Sequence, residues 1–325
     1  MNTTDGGAKT PWICCQLGAR EHYAVPRALH ESERLRLLVT DAWVSPVSPA
    51  GMLPGHRLDR LRERYHPALA EARIRHATLD VVAFEIGART RGWARILSRN
   101  EWFKRWTARE LRWEAARAGS EPRVLFSYSY TALEAFRFAK RLGWTTVLGQ
   151  IDPGPVEERL VAAEHARCAE LPTRWEPAPR EYWADWEEEC ALADRIIVNS
   201  EWSGEALREV GVASEKICVV PLSYDPPVVD DGAEHRFPSE FTAGRPLRVL
   251  FLGQVNLRKG MAHVMEAMRL LEGEPVEWIV VGPSDFATPD DLRSRRDIRW
   301  EGPVMRSEAA RYYREADVFL FPTLS

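Results

Sequence analysis

At 325 residues, 45% hydrophobic and 28% charged, the chain has an ordinary soluble composition and length for about two domains. No apolar run reaches the roughly 18 residues needed to span a bilayer, and Met1 to Thr10 lacks the cationic flank and apolar stretch of a signal peptide, so the cytoplasm is the expected compartment. A net charge of -4 argues against a whole-protein nucleic-acid binder, and five cysteines with no CxxC pair and no histidine at metal-ligand spacing imply neither a zinc site nor a disulfide framework.

Strand and helix signals alternate along the chain, the pattern of parallel sheets covered on both faces. Trp12 to Leu17 reads as a buried strand ending at Gly18. The loop Gly18-Ala19-Arg20-Glu21 follows, then a helical stretch from His22 to Glu33 and a second strand from Leu35 to Thr40. Asp41 to Gly55 is rich in Pro, Ser and Gly and reads as a surface loop; its place beyond a strand's carboxyl end also suits a substrate loop. Arg57 to Ala77 is expected as a charged helix and Leu79 to Phe84 as a short strand.

Thr90 to Ala118 interleaves Trp93, Trp102, Phe103, Trp106 and Trp113 with eight Arg and Lys residues. On a helix Trp102, Trp106 and Trp113 fall near one face, which either packs on the sheet or rests on anionic lipid as a peripheral membrane contact. Further strands are expected at Val124 to Ser127, Thr145 to Leu148, Arg195 to Asn199 and Lys216 to Pro221. Helices are expected at Thr131 to Leu142, Val156 to Glu170, Tyr182 to Ala193 and Glu201 to Val210, the last with Ser200 and Gly211 as caps.

Tyr224 to Pro246 holds four prolines and little apolar periodicity. It divides the chain into a domain over 1–225, a linker over 226–246 and a second domain over 247–325. In that second domain Leu247 to Leu252 reads as a strand, Gly253 to Gly260 as a loop carrying Arg258 and Lys259, and Met261 to Leu271 as a helix. A strand entering a helix through a glycine-bounded, cationic loop can hold a diphosphate, because the helix N-terminus offers N–H groups and partial positive charge. Strands follow at Val276 to Val281, Ile298 to Trp300 and Val318 to Phe321, with helices at Asp290 to Arg296 and Ser307 to Glu315.

Several ordered runs together carry a resemblance. Val249 to Gly253, Arg258-Lys259-Gly260, Ile279 to Gly282 and Ala316 to Thr323 resemble the donor domain of a family-4 glycosyltransferase with the GT-B fold. Ala193 to Ser203 and Lys216 to Pro221 are similar to the segment that precedes that family's interdomain linker, and Gly18 to Tyr23 to its first glycine loop. The resemblance implies an α/β fold of two Rossmann-like, doubly wound domains. It implies transfer of a sugar from a nucleoside-diphosphate sugar to a hydroxyl of a glycan, lipid or small molecule, with retention.

Family members grip the donor diphosphate with an Arg directly after the first glycine of this loop and a Lys before the last. Lys259 matches the Lys, Gln254 stands where the Arg is usual, and Arg258 can supply the missing charge; the alternative is a solvated Arg258 and a Lys259 paired with a carboxylate. By the same resemblance Gly253, Gly18 and Ala19 bring backbone to the diphosphate. Arg20, His22, Ser129, Tyr130 and Asp152 are candidates for the cleft, with His22 equally able to face solvent and Asp152 to cap a turn. Phe126 to Tyr130 stands where the family commonly carries a histidine. No cofactor is implied beyond the nucleotide sugar as co-substrate, and no Asp-x-Asp triplet calls for a metal.

The family's acidic loop, whose carboxylates contact the sugar, is expected beyond Ser325. The catalytic residues are therefore not assigned, and a C-terminally truncated, incomplete donor domain with weak or no activity is the expectation. The competing reading is a non-catalytic nucleotide-sugar-binding fragment. A dinucleotide oxidoreductase lacks its G-x-G-x-x-G turn at Gly18 and Gly253, and a P-loop is excluded because Gly260 follows Lys259.

Overall fold

Apolar runs at regular spacing build two parallel sheets, each assembled within its own unit. The computed structural model describes residues 10–48, 63–87, 90–118, 121, 123–171, 173, 175–223 and 237–325. One unit falls within Met1–Pro153 and Ala178–Tyr224, the other within Gly154–Pro177 and Asp225–Ser325.

In the first unit the strands are β1 (Trp12–Gln16), β2 (Leu35–Thr40), β3 (Ile74–His76), β4 (Val124–Tyr128), β5 (Thr145–Gly149), β6 (Arg195–Val198) and β7 (Ile217–Val219). They pair in parallel in the order β3-β2-β1-β4-β5-β6-β7. The order reverses between β1 and β4, and ligands of doubly wound sheets bind beyond the carboxyl ends at such a point. Alternate residues serve opposite cores: Ile13, Cys15, Leu37, Val39 and Leu125 on one face, Cys14, Leu38, Phe126 and Tyr128 on the other. The helices of this part of the chain are α1 (Ala24–Glu31), α2 (Thr78–Gly87), α3 (Gly92–Ala118), α4 (Leu133–Arg141), α5 (Pro155–Arg167), α6 (Arg180–Leu192) and α7 (Glu201–Glu209).

Part of the aromatic stripe of α3 packs inward. Phe103, Trp106 and Leu111 are buried in the main core, and Trp102 stacks on Trp106 at 6.2 Å. Trp113 remains exposed, covered by the guanidinium groups of Arg75 at 4.5 Å and Arg117 at 4.6 Å. No helix among the described residues is long and apolar enough to cross a membrane.

Two local expectations are corrected. Leu79 to Phe84 is helical, within α2, because the strand position beside β2 is filled earlier by β3, and of Leu79 to Phe84 only Val81 is buried. The stretch expected as a helix from Arg57 to Ala77 contains a short 3-10 turn at Pro67–Leu69, with the proline in its first turn and His66 as its cap, and then β3. Residues 57–62 lie outside the described residues, as do 49–55 of the expected surface loop and 226–236 of the expected linker.

The second unit pairs β8 (Leu247–Leu252), β9 (Val276–Val281), β10 (Ile298–Gly302) and β11 (Val318–Phe319) in parallel, in the order β10-β9-β8-β11. Its helices are α8 (Met261–Leu270), α9 (Asp290–Arg293) and α10 (Arg306–Glu315). Helix α5, placed by sequence order in the 1–225 domain, packs here instead: its Glu164 faces His263 at 3.6 Å, and Leu171, just after it, joins the Val249, Met265 and Trp278 core. The strand order of this sheet reverses between β8 and β11, so the loop leaving β8 lies at a switch point.

Candidate functional site

The loop leaving β8 is shaped by its own side chains. Asn256 caps a 3-10 turn at Leu257–Lys259, its Oδ1 accepting from the Lys259 N–H at 3.0 Å while its amide donates to Asp285 at 3.1 Å. Gly260 then turns into α8 with φ 73°, and a Cβ there would run into the Pro322 carbonyl, so the loop after β11 lies directly on this glycine. The Leu324 N–H donates to the Arg258 carbonyl at 2.9 Å and fixes that approach. At the end of β9 a Cβ on Gly282 would likewise strike the Gly253 carbonyl, which keeps the two strand ends close.

This backbone places two cations side by side at the amino end of α8. Arg258 pairs with Glu157 of α5 at 3.4 Å, and Ser325 Oγ donates to the other oxygen of the same carboxylate at 2.6 Å. Lys259 forms no ion pair among the described residues; its ammonium donates to Thr323 Oγ1 at 3.4 Å and sits 5.1 Å from the Phe321 ring. Burial, and then the charge of Arg258, lower its pKa, with Glu157 opposing. A half-buried ammonium with no ion pair among the described residues, beside a second cation and a helix N-terminus, has the chemistry to accept an anion. Gln254 is exposed and its Oε1 accepts from Asn256 at 3.3 Å, while Gly253 donates its N–H to the Val281 carbonyl at 2.9 Å.

Replacing Gly260 by alanine puts a side chain into both a left-handed backbone and the Pro322 carbonyl. A loss of about 1–2 kcal/mol in urea denaturation is expected, together with weaker anion binding as the loop after β11 is displaced. The titration of Lys259 gives a second expectation. An anion bound beside it would hold the proton on the ammonium, so anion affinity is expected to fall as pH rises through the lowered pKa of the free protein. Calorimetry with inorganic pyrophosphate as the pH is raised reads that fall, which begins below the ordinary lysine range.

In the first unit the Gly18 turn is held by Asp41, the fully buried residue directly after β2. Its Oδ1 accepts from the Gly18 N–H at 2.9 Å and its two oxygens take Arg64 and Arg99 at 3.0 and 3.1 Å. Ala19 accepts the His22 N–H at 3.2 Å. Glu21, His22 and Tyr23 follow with φ 48°, 49° and 60°, three consecutive left-handed residues where the sequence suggested a helix beginning at His22. His22 is half-buried in that turn, and the exposed Arg20 lies 5.8 Å over the Tyr128 ring, whose hydroxyl donates to Glu21 at 3.2 Å.

Beyond β4 and β5 a separate polar cluster forms. Ser129 and Tyr130 are buried; Ser129 Oγ accepts from the Ile151 N–H at 3.4 Å and the Tyr130 hydroxyl donates to Asp152 at 2.5 Å. Gln150 donates to the Asp152 carbonyl at 3.0 Å and accepts from Trp186 Nε1 at 3.0 Å. Tyr130 has φ 72° and donates its N–H to the buried Glu189 of α6 at 2.6 Å. Within each unit, then, Gly253, Gln254, Arg258 and Lys259 share one loop, Gly18, Ala19, Arg20 and His22 another, and Ser129, Tyr130 and Asp152 a third cluster.

Sequence reasoning missed Glu157, Asn256, Asp41 and Glu189. Asn256, three residues before Lys259, is a readable cap, and Asp41 stands just past a strand end; Glu157 and Glu189 gave no local signal. Among the described residues no cluster of three His, Cys, Asp or Glu side chains has the spacing to hold a metal ion. A surface cavity of about 730 Å³ in the second unit lies along α8, where Cys168, Met265, Arg269 and Thr288 line it, and it touches neither loop cation.

Comparison with known proteins gives a family match for part of the chain and a fold for nearly all of it. Residues 246–325 match the family described as Glycosyl transferases group 1. Among curated proteins no sequence match was found. The catalytic domain of starch synthase IV from Arabidopsis thaliana, bound to ADP and acarbose, superposes with a TM-score of 0.56 at 10% identity, over 98% of this chain and 79% of that one. HepE from Anabaena, in complex with UDP and glucose, gives 0.52 at 11% identity, over 97% of this chain and 75% of that one. The fold is thus the pair of Rossmann-like parallel-sheet units of GT-B glycosyltransferases.

Proposed function

We propose that this chain is a retaining glycosyltransferase of family 4, which transfers a sugar from a nucleoside-diphosphate sugar to an acceptor hydroxyl. The observation that carries the reading is Lys259, a half-buried ammonium with no counter-ion among the described residues, on a loop inside the segment that matches Glycosyl transferases group 1. The nucleoside diphosphates in the two similar structures, UDP and ADP, support a diphosphate as its ligand.

As the glycosidic bond to the leaving oxygen breaks, negative charge develops on the diphosphate and positive charge on the sugar ring. Lys259, Arg258 and the N-terminus of α8 stabilise the leaving group, and they act most strongly where burial has removed water. Arg258 exchanges Glu157 for phosphate when the donor binds. Arg20 and His22 beyond β1 and the Ser129, Tyr130 and Asp152 cluster beyond β4 and β5 are assigned to the sugar and the acceptor.

Incubation of the chain with a panel of nucleotide sugars tests the reading. Release of nucleoside diphosphate with transfer or hydrolysis of the sugar, and retention at the anomeric carbon by NMR, is the expected result. Tight nucleotide-sugar binding with no turnover on any donor identifies a binding module instead.

A further inference from the structure

The Asp41 cluster has more positive charge than its structural task requires. One arginine suffices to neutralise a buried carboxylate, yet Asp41 carries two, Arg64 at 3.0 Å and Arg99 at 3.1 Å. Each uses a single terminal nitrogen, Arg64 Nη1 and Arg99 Nη2, and among the described residues their other guanidinium nitrogens make no hydrogen bond. Their side chains are 24% and 33% exposed, while Asp41 is fully buried and keeps both in place. Arg64 lies over the Gly18 turn, its Nη1 within 3.0 Å of where a Gly18 Cβ would stand, and the Tyr23 hydroxyl anchors its carbonyl at 3.0 Å. Arg20 adds a third cation on the same turn; Glu21, the nearby carboxylate, accepts from Tyr128.

We infer that Arg64 and Arg99 form a receptor for a phosphate group carried by the acceptor. Two preorganised forks that present free N–H donors beside a net positive charge suit a tetrahedral oxyanion, which takes more donors than a carboxylate does. The place fits, since Gly18 and Asp41 follow the carboxyl ends of β1 and β2 next to the reversal in strand order. The inference rests on the glycosyltransferase reading only in assigning the phosphate to an acceptor.

Inorganic phosphate is titrated calorimetrically into the full chain saturated with UDP, and separately into the UDP-free Lys259→Ala variant. Phosphate is expected to bind in both, and Arg99→Gln, which leaves Arg64 on Asp41, is expected to weaken it about tenfold or more, the effect of one charged hydrogen bond, with Arg99→Lys recovering part of the loss. Thermal melts of each variant show that the fold persists. In transfer assays a hexose 6-phosphate or a short-chain prenyl diphosphate is expected to be preferred over the free hexose, and Arg99→Gln to reduce that preference. Absence of phosphate binding, phosphate affinity unchanged in a folded Arg99→Gln protein, or phosphate binding lost in Lys259→Ala overturns the inference. Because the Lys259→Ala titration needs no nucleotide, failure of the donor reading is seen separately.

Discussion

Replacing Lys259 by alanine is expected to weaken binding of UDP or ADP by about 1.5–3 kcal/mol, roughly 10- to 150-fold, the range of a charge-assisted hydrogen bond. Among the described residues the half-buried ammonium contacts Thr323 and the Phe321 ring and forms no ion pair that must break when phosphate arrives. Its removal therefore subtracts the phosphate contact with little compensation inside the protein. Stability is expected to change little or to rise slightly, since the substitution relieves repulsion from Arg258. Calorimetry reads the affinity and urea denaturation the stability. Unchanged affinity in the variant refutes the assignment of Lys259 to the diphosphate.

A larger effect, on folding, is expected at Glu189. This fully buried side chain reaches from α6 to the start of α4, where Oε1 accepts from the N–H groups of Ala132 at 2.7 Å and Leu133 at 3.0 Å and Oε2 from Tyr130 at 2.6 Å. Glu189→Ala strands three buried donors and leaves the left-handed Tyr130 without its anchor. A loss of roughly 3–5 kcal/mol in urea denaturation is expected, enough to unfold a marginal domain. Burial pushes the Glu189 carboxyl up from 4.5 to about 8, against the pull of the three N–H donors. The folded state thus binds the proton more tightly than the unfolded one. Its contribution is full below about pH 4.5 and is lost as pH rises toward 8, a slope that Glu189→Gln is expected to flatten. An alanine variant as stable as the parent shows that this carboxyl does not hold the Tyr130 turn.

Much of the architecture was legible because its strands are short, apolar and punctuated by glycine. β1 stops two residues before Gly18, and β8 and β9 stop one residue before Gly253 and Gly282; Gly282 must be small because its Cβ would strike the Gly253 carbonyl. The cationic loop was legible for the same reason, its glycines and paired cations being contiguous. What escaped reading is set by distant contacts. Arg258 and Glu157 are 101 residues apart, and α5, whose residues carry no mark of it, belongs to the unit built mostly from the far end of the chain. The composition of Leu79 to Phe84 suits a strand, whereas the sheet position is filled by Ile74–His76. The amphipathic Thr90 to Ala118 stretch offered two surfaces to the same pattern, and packing against the core accounts for Phe103 and Trp106.

The loop from Gly253 to Gly260 stands or falls on whether it holds a diphosphate. Parallel calorimetric titrations of the full chain with UDP, ADP, UMP and AMP measure this directly. The diphosphate of one base is expected to bind at least about tenfold more tightly than its monophosphate, the contribution of one charged contact to the second phosphate. Equal affinities for diphosphate and monophosphate contradict it.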